Sequence, residues 1–237
     1  MIKLVTFDLD DTLWAVRPVV IKANQLAWAW MQEHTPEFTE RYRMEDLFEG
    51  SDLRRQLLER YPEIEHSMTL IRIRLLELGY QQVGYSAEQA THWANRAFEY
   101  FHQHRNDVEP YSEVRDMLTA LKASGYMVGA LSNGNAEIGR TPLAQWFDFQ
   151  YNADTVGTAK PHPLMFEKAL AHAGVTAAEA VHIGDHPIND VKAAKALGIK
   201  TIWVNPEDLD YPHQIEADLI VEDLAQLPAA IARLAAA

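Results

Sequence analysis

Residues 2–12 read IKLVTFDLDDT, an apolar, β-branched run that stops abruptly at three aspartates. The run predicts a short buried strand over 2–7 whose C-terminal end carries Asp8, Asp10 and Asp11. Three acids at a strand end repel one another, which costs free energy unless a cation or hydrogen bonds compensate. Asp8 and Asp10 lie two residues apart, so they can face the same side once the chain leaves the strand. That arrangement offers oxygen ligands to a hard divalent cation and sets a second carboxyl beside the first for proton transfer. A solvated acidic loop is the alternative for a bare DxD. The strand before it and Thr12 after it favour a site.

Outward from this stretch, similar short apolar runs occur at 126–131, 180–183 and 200–204, with a shorter edge segment at 219–221. Helical patterns separate them at 112–123, 164–173 and 187–197, the last closed by Gly198. This alternation predicts an α/β fold with a Rossmann-like, mostly parallel sheet core. Ligands bind such sheets beyond the carboxyl ends of the strands. Residues 17–107 differ. They hold helix-compatible stretches at 19–33, 51–60, 67–78 and 86–104, broken at Pro36, Pro62, Gly79 and Gly84, and no convincing strand. Ten of the 13 arginines fall there but only one of the eight lysines, Lys22. The expected organisation is a core of 1–16 and 108–237 with an inserted all-helical cap domain over 17–107, joined by crossings near 14–18 and 105–110.

Composition narrows the function. The chain has 237 residues, 48% hydrophobic and 23% charged, enough for a sizeable core without disulfides. Its formal charge of −13 would repel phosphate backbones and anionic lipid, so neither nucleic acid nor a membrane is an expected partner. The absence of cysteine excludes disulfides, thiolate metal sites and cysteine nucleophiles. No apolar run reaches the roughly 20 residues of a membrane span, and the first residues do not read as a signal peptide. A cytoplasmic monomer or homodimer is expected.

Four motifs in order carry a resemblance. Phe7-Asp8-Leu9-Asp10-Asp11-Thr12 follows the first strand, Leu131-Ser132-Asn133 follows the next, Lys160-Pro161 comes after it, and Gly184-Asp185 with Asn189-Asp190 follows the strand AVHI. Each is weak alone; Ser132-Asn133-Gly134 and Gly184-Asp185 are ordinary turn chemistry. As an ordered set they resemble the haloacid dehalogenase superfamily, mostly Mg²⁺-dependent phosphohydrolases with a helical cap inserted after the first motif. The resemblance implies that Asp8 is the nucleophile, giving an aspartyl-phosphate, and that Asp10 is the general acid/base. It implies that Asp8, Asp10 (through its backbone carbonyl) and Asp185 hold the metal, and that Ser132, Asn133 and Lys160 bind the substrate phosphate. Asp190 would sit behind them, orienting Lys160 or a metal-bound water. The stretch FDLDDTLW with Asn133-Gly134-Asn135-Ala136 is similar to bacterial members acting on flavin mononucleotide and on the phosphorylated ribitylaminouracil of riboflavin synthesis. A small phosphorylated metabolite is the expected substrate; sugar phosphates, phosphoglycolate and nucleotides are alternatives. A 2-haloacid dehalogenase usually lacks the second acid, a phosphonatase would want a cap lysine, and a non-catalytic module would have lost a motif residue.

Other residues invite weaker readings. His102 and His104 are two apart on a helix and make a poor chelate. His34, His66, His92, His172 and His213 are scattered, and His162 and His186 flank motifs where solvent-facing loop positions are favoured over substrate contact. Trp14 either closes over the substrate or packs on the core. Trp28, Trp30, Trp93, Arg72 and Arg74 belong to the helical block, with packing and solvated faces as the default.

Overall fold

The computed structural model describes residues 1–205 and 216–236, so His213 lies outside the described residues. The chain divides into two compact units, Met1–Ala15 with Val108–Ala237, and Val16–Asp107.

The first unit is built on strands β1 (Leu4–Phe7), β2 (Met127–Ser132), β3 (Phe149–Asn152), β4 (Ala180–Gly184), β5 (Lys200–Val204) and β6 (Leu219–Val221). They form one parallel sheet in the order β3-β2-β1-β4-β5-β6, the Rossmann arrangement. β1 and β4 are buried along their whole length, because helices cover both faces of a parallel sheet. Helices α6 (Val114–Ala123), α7 (Ala153–Val156), α8 (Leu164–Ala173), α9 (Ala193–Ala196) and α10 (Leu227–Ala236) complete the unit. One side of the core packs Leu4 and Leu131 of the sheet against Met165, Phe166 and Ala169 of α8. Because β2, β1 and β4 are adjacent and parallel, the three motif-bearing strand ends open side by side.

The second unit is all-helical among its described residues: α1 (Val16–His34), α2 (Pro36–Arg41), α3 (Asp52–Arg60), α4 (Met68–Gln82) and α5 (Ala87–Arg105), with short 3₁₀ turns. Local caps start three of these helices. Ser51, Ser67 and Ser86 each accept from the backbone N–H three residues on, and Gln89 returns a bond to Ser86. Three apolar clusters among the described residues hold the unit: Met31, Phe38, Leu76, Tyr80 and the Ala90/Ala94/Ala97 stripe; Leu53, Leu57, Ile64, Ile71 and Leu75; and Ala23, Ala27, Phe98 and Phe101.

Three local expectations are corrected. Gly79 does not break a helix: α4 runs through it to Gln82, and the missing side chain makes room for the Phe38 ring. The pattern at 187–197 is not one α-helix. It opens with a π-helical turn over Pro187–Lys192, where Val191 N–H reaches the His186 carbonyl, and only then becomes α9. Nothing in the sequence pattern marks the strand β3, because an edge strand pairs on one side only and FQYN carries no apolar run. Pro36 is likewise both a break and the first residue of the short helix α2, where its lacking N–H costs nothing.

Candidate active site

The end of β1 is extended by one more ladder bond, from Asp8 N–H to the Ile183 carbonyl of β4, and then the chain turns sharply. Leu13 N–H bonds the Leu9 carbonyl at 2.9 Å and Asp11 N–H bonds the Trp14 carbonyl at 2.8 Å. Asp11 takes the left-handed conformation this requires (φ 58°), which a short polar side chain tolerates better than most. The turn brings two side chains back onto the site. Thr12 Oγ1 donates to Asp185 Oδ1 (2.9 Å), and Trp14 Nε1 donates to Asp10 Oδ1 (2.9 Å). Thr12 and Trp14 are fully buried, so Trp14 packs in the core rather than standing open at a crossing.

Lys160 is the hub. Its buried Nζ has three donors, and they go to Asp8 Oδ1 (2.7 Å), the Leu131 carbonyl (2.6 Å) and Asp190 Oδ1 (2.6 Å). Asp190 Oδ1 also meets His182 Nε2 (3.1 Å), while its Oδ2 accepts from His186 N–H (3.0 Å). His182 Nδ1 lies 2.9 Å from the hydroxyl of Thr6, its register partner across β1 and β4. A carboxylate can only accept, so Nε2 carries the proton and Nδ1 accepts from Thr6. Burial lowers the His182 pKa, consistent with this neutral tautomer. Gly184 makes the packing possible: a Cβ there would sit 2.6 Å from Asp190 Cβ and closer still to its carboxyl carbon.

The charges are unevenly compensated. Burial raises Asp8 well above the usual carboxylate range, with Asp190 and Asp185 adding to it and Lys160 opposing. Burial also acts to raise Asp190, but Lys160 and His182 overcome it and hold that carboxyl below its usual value. Lys160 is held above the ordinary lysine range, since Asp190 and Asp8 outweigh its burial. Asp185, partly buried and near the Asp190 carboxylate, is pushed up to about 6. Carboxylate oxygens of Asp8, Asp185 and Asp190 lie within 4.8 Å of one another. Both oxygens of Asp190 already accept protein donors. That leaves Asp8 and Asp185 as an anionic, oxygen-only pair short of positive charge, a donor set that fits a hard cation such as Mg²⁺.

The other motif residues take distinct places. Ser132 is buried, and its Oγ accepts from Gly134 N–H (3.0 Å). The Asn133 amide is engaged by the Lys160-Pro161 motif: its Oδ1 accepts from Lys160 N–H (2.7 Å) and its Nδ2 donates to the Lys160 carbonyl (2.8 Å). It therefore clamps the loop that delivers Lys160, so its side-chain amide is already engaged. His186 and His162 both use Nδ1 to accept backbone N–H groups of their own turns. His182, Thr6 and Trp14 were not singled out as site residues by the motifs. The legible signal for the first two is a polar side chain inside an otherwise apolar buried strand; Trp14 stands out by its place just after the first motif, but its bond to Asp10 is set by the turn.

The match to known proteins follows the same stretch. The model of the haloacid dehalogenase-like hydrolases matches residues 2–198, and the chain belongs to this family. It is 33% identical over 209 residues to the 5-amino-6-(5-phospho-D-ribitylamino)uracil phosphatase YigB of Escherichia coli, across 88% of this chain and 86% of that protein. It is 30% identical to a glyceraldehyde 3-phosphate phosphatase of Pyrococcus furiosus, across 95% and 91%. Among solved structures, one described as a 2-haloacid dehalogenase from Pseudomonas syringae pv. Tomato DC3000 superposes with a TM-score of 0.92 at 37% identity, covering 98% of this chain and 99% of that one. The protein is thus a hydrolase of this family, with phosphatases among its relatives. No helix among the described residues is long and apolar enough to cross a membrane.

Proposed function

We propose that this protein is a Mg²⁺-dependent phosphatase that hydrolyses a small phosphate monoester through an aspartyl-phosphate on Asp8. One observation carries the reading: Asp8 is held by Lys160 at a strand end, and a second carboxyl two residues on, Asp10, is held separately by Trp14. An oxygen of Asp8 attacks phosphorus, the ester P–O bond breaks, and the departing alkoxide takes the proton of Asp10. Water then attacks the aspartyl-phosphate, gives a proton back to Asp10, and releases phosphate and the free Asp8 carboxylate. Lys160, its three N–H groups already engaged, supplies positive charge beside the phosphoryl oxygens, and the Ser132 hydroxyl and the backbone N–H of Asn133 supply donors. Asp8, the Asp10 carbonyl and Asp185 are the groups that would hold Mg²⁺, which offsets the charge of carboxylate and phosphate so that one can approach the other.

The name given to the Pseudomonas syringae structure suggests the competing activity, displacement of halide from a 2-haloacid. A halide leaves without a proton, so that chemistry has no use for a general acid, and Asp10 with its dedicated donor favours the phosphatase. The named substrate of YigB carries a ribityl phosphate on a flat heterocycle. Flavin mononucleotide shares both features and is the substrate class we favour. The test compares flavin mononucleotide, glucose 6-phosphate and L-2-chloropropionate side by side, in Mg²⁺ and in EDTA. Phosphate release should need Mg²⁺, vanish in Asp8→Asn, and proceed with the higher kcat/KM on flavin mononucleotide. Glucose 6-phosphate matching it would remove the substrate claim alone; chloride release without phosphate release would overturn the activity.

A further inference from the structure

Asp10 and Trp14 close the turn after β1 on each other. The Asp11 N–H to Trp14 carbonyl bond, the left-handed Asp11 and a backbone bridge between Asp10 and Trp14 fix the main chain. The indole Nε1 then reaches back 2.9 Å to Asp10 Oδ1. Trp14 is completely buried whereas Asp10 is only partly so, so the bond ties a partly exposed carboxyl to a buried indole. An indole N–H donates and never accepts, so Oδ1 is an acceptor in either charge state of Asp10.

We propose that Trp14 is a positioning residue for Asp10: its indole N–H fixes the carboxyl rotamer and assigns the transferable proton to Oδ2. The proposal rests on the phosphatase reading above, since only there does Asp10 move a proton. The physical case is one of geometry. An Asp carboxyl has a broad, roughly two-fold terminal torsion, so an unrestrained one presents either oxygen. A proton lodged on Oδ1 would point into the turn instead of at a leaving oxygen. The buried N–H opposes this, because turning Oδ1 away would leave a buried donor without its acceptor. Its bond to the ionised carboxylate is the stronger kind, so the carboxyl is held through both half-reactions.

The test removes the donor and keeps the shape. Trp14 is replaced by its benzothiophene isostere, in which sulfur stands in place of the N–H, and in parallel by Trp14→Phe. In Mg²⁺, kcat/KM is measured for an alkyl phosphate, whose leaving group needs a proton, and for p-nitrophenyl phosphate, whose leaving group hardly does. We expect the isostere to lower the alkyl-to-aryl ratio of kcat/KM about tenfold, part of the roughly 10²–10⁴-fold a general acid supplies. Inhibition by inorganic phosphate should stay unchanged, which separates the effect from a general loosening of the site. The indole ¹H–¹⁵N resonance missing in Trp14→Phe should be displaced in Asp10→Asn, a readout independent of turnover. An isostere with the wild-type ratio, alongside Asp10→Asn that loses it, overturns the role of Trp14 and leaves the phosphatase standing. A ratio that Asp10→Asn itself does not change overturns the acid role of Asp10, and the proposal for Trp14 with it.

Discussion

Replacing Gly184 by alanine adds a single methyl group against the Asp190 side chain. The new Cβ would sit 2.6 Å from Asp190 Cβ, where ordinary contacts begin near 3.4 Å, so Asp190 must retreat by roughly 1 Å. It has little freedom to do so otherwise, because its carboxylate is bonded to Lys160, His182 and His186 N–H. A retreat of that size takes the 2.6 Å bond from Lys160 to about 3.6 Å, beyond hydrogen-bond range. Breaking one partner from a buried ion pair typically costs 3–5 kcal/mol. Lys160 keeps Asp8 and the Leu131 carbonyl, so the lower end, about 3 kcal/mol, is expected. The same displacement should lower kcat/KM by about 10²-fold, the usual penalty for misplacing a catalytic group by an ångström. Urea unfolding at pH 7 and p-nitrophenyl phosphate turnover in Mg²⁺ read the two effects. A variant within about 0.5 kcal/mol and twofold of the parent would refute the argument that Gly184 exists to admit Asp190.

Asp185 makes the stability of the metal-free protein depend on pH. Its carboxyl is raised from 3.8 to about 6, so between these values the folded state binds the extra proton and stability falls as pH rises, by up to about 3 kcal/mol. Urea midpoints in EDTA should decline from pH 4 to 6, and Mg²⁺ should raise the midpoint at pH 7 far more than at pH 4.5; an equal metal effect at both would remove Asp185 from the metal site. In the helical unit, Gly79→Ala should destabilise despite alanine's better helix propensity of about 1 kcal/mol. The added Cβ would lie 2.5 Å from Phe38 Cε2 in a ring held by Tyr42 and Tyr80, and overpacking of this kind costs about 1–3 kcal/mol. Thermal unfolding should show a lower Tm, restored in part when Phe38→Leu is added; an unchanged or higher Tm in the single variant would count against that close approach.

Much of this molecule was legible in one dimension because its signals are local. A β-branched run ending in acids can hardly be anything but a strand opening onto a polar rim, and periodicity located β1, β2, β4 and β5 along with most of the helices. The order of the four motifs identified the family that the comparisons show. What the chain could not display is whatever depends on approach between distant segments. Gly79 looks like a helix breaker because a lone glycine lowers helix propensity, yet its use is to admit the ring of Phe38, 41 residues away in sequence. β3 became a strand because β2 offers it a ladder, not because its own residues demand one. Asn133, Thr6, His182 and Trp14 each acquired a role from a hydrogen bond whose partner is set by the fold or by the turn. A hydrogen bond lives within about 3 Å and within a narrow angle. Sequence specifies which groups are present and which face of a strand or helix they occupy, but only the packed sheet and the turn at its edge bring donor and acceptor within that reach.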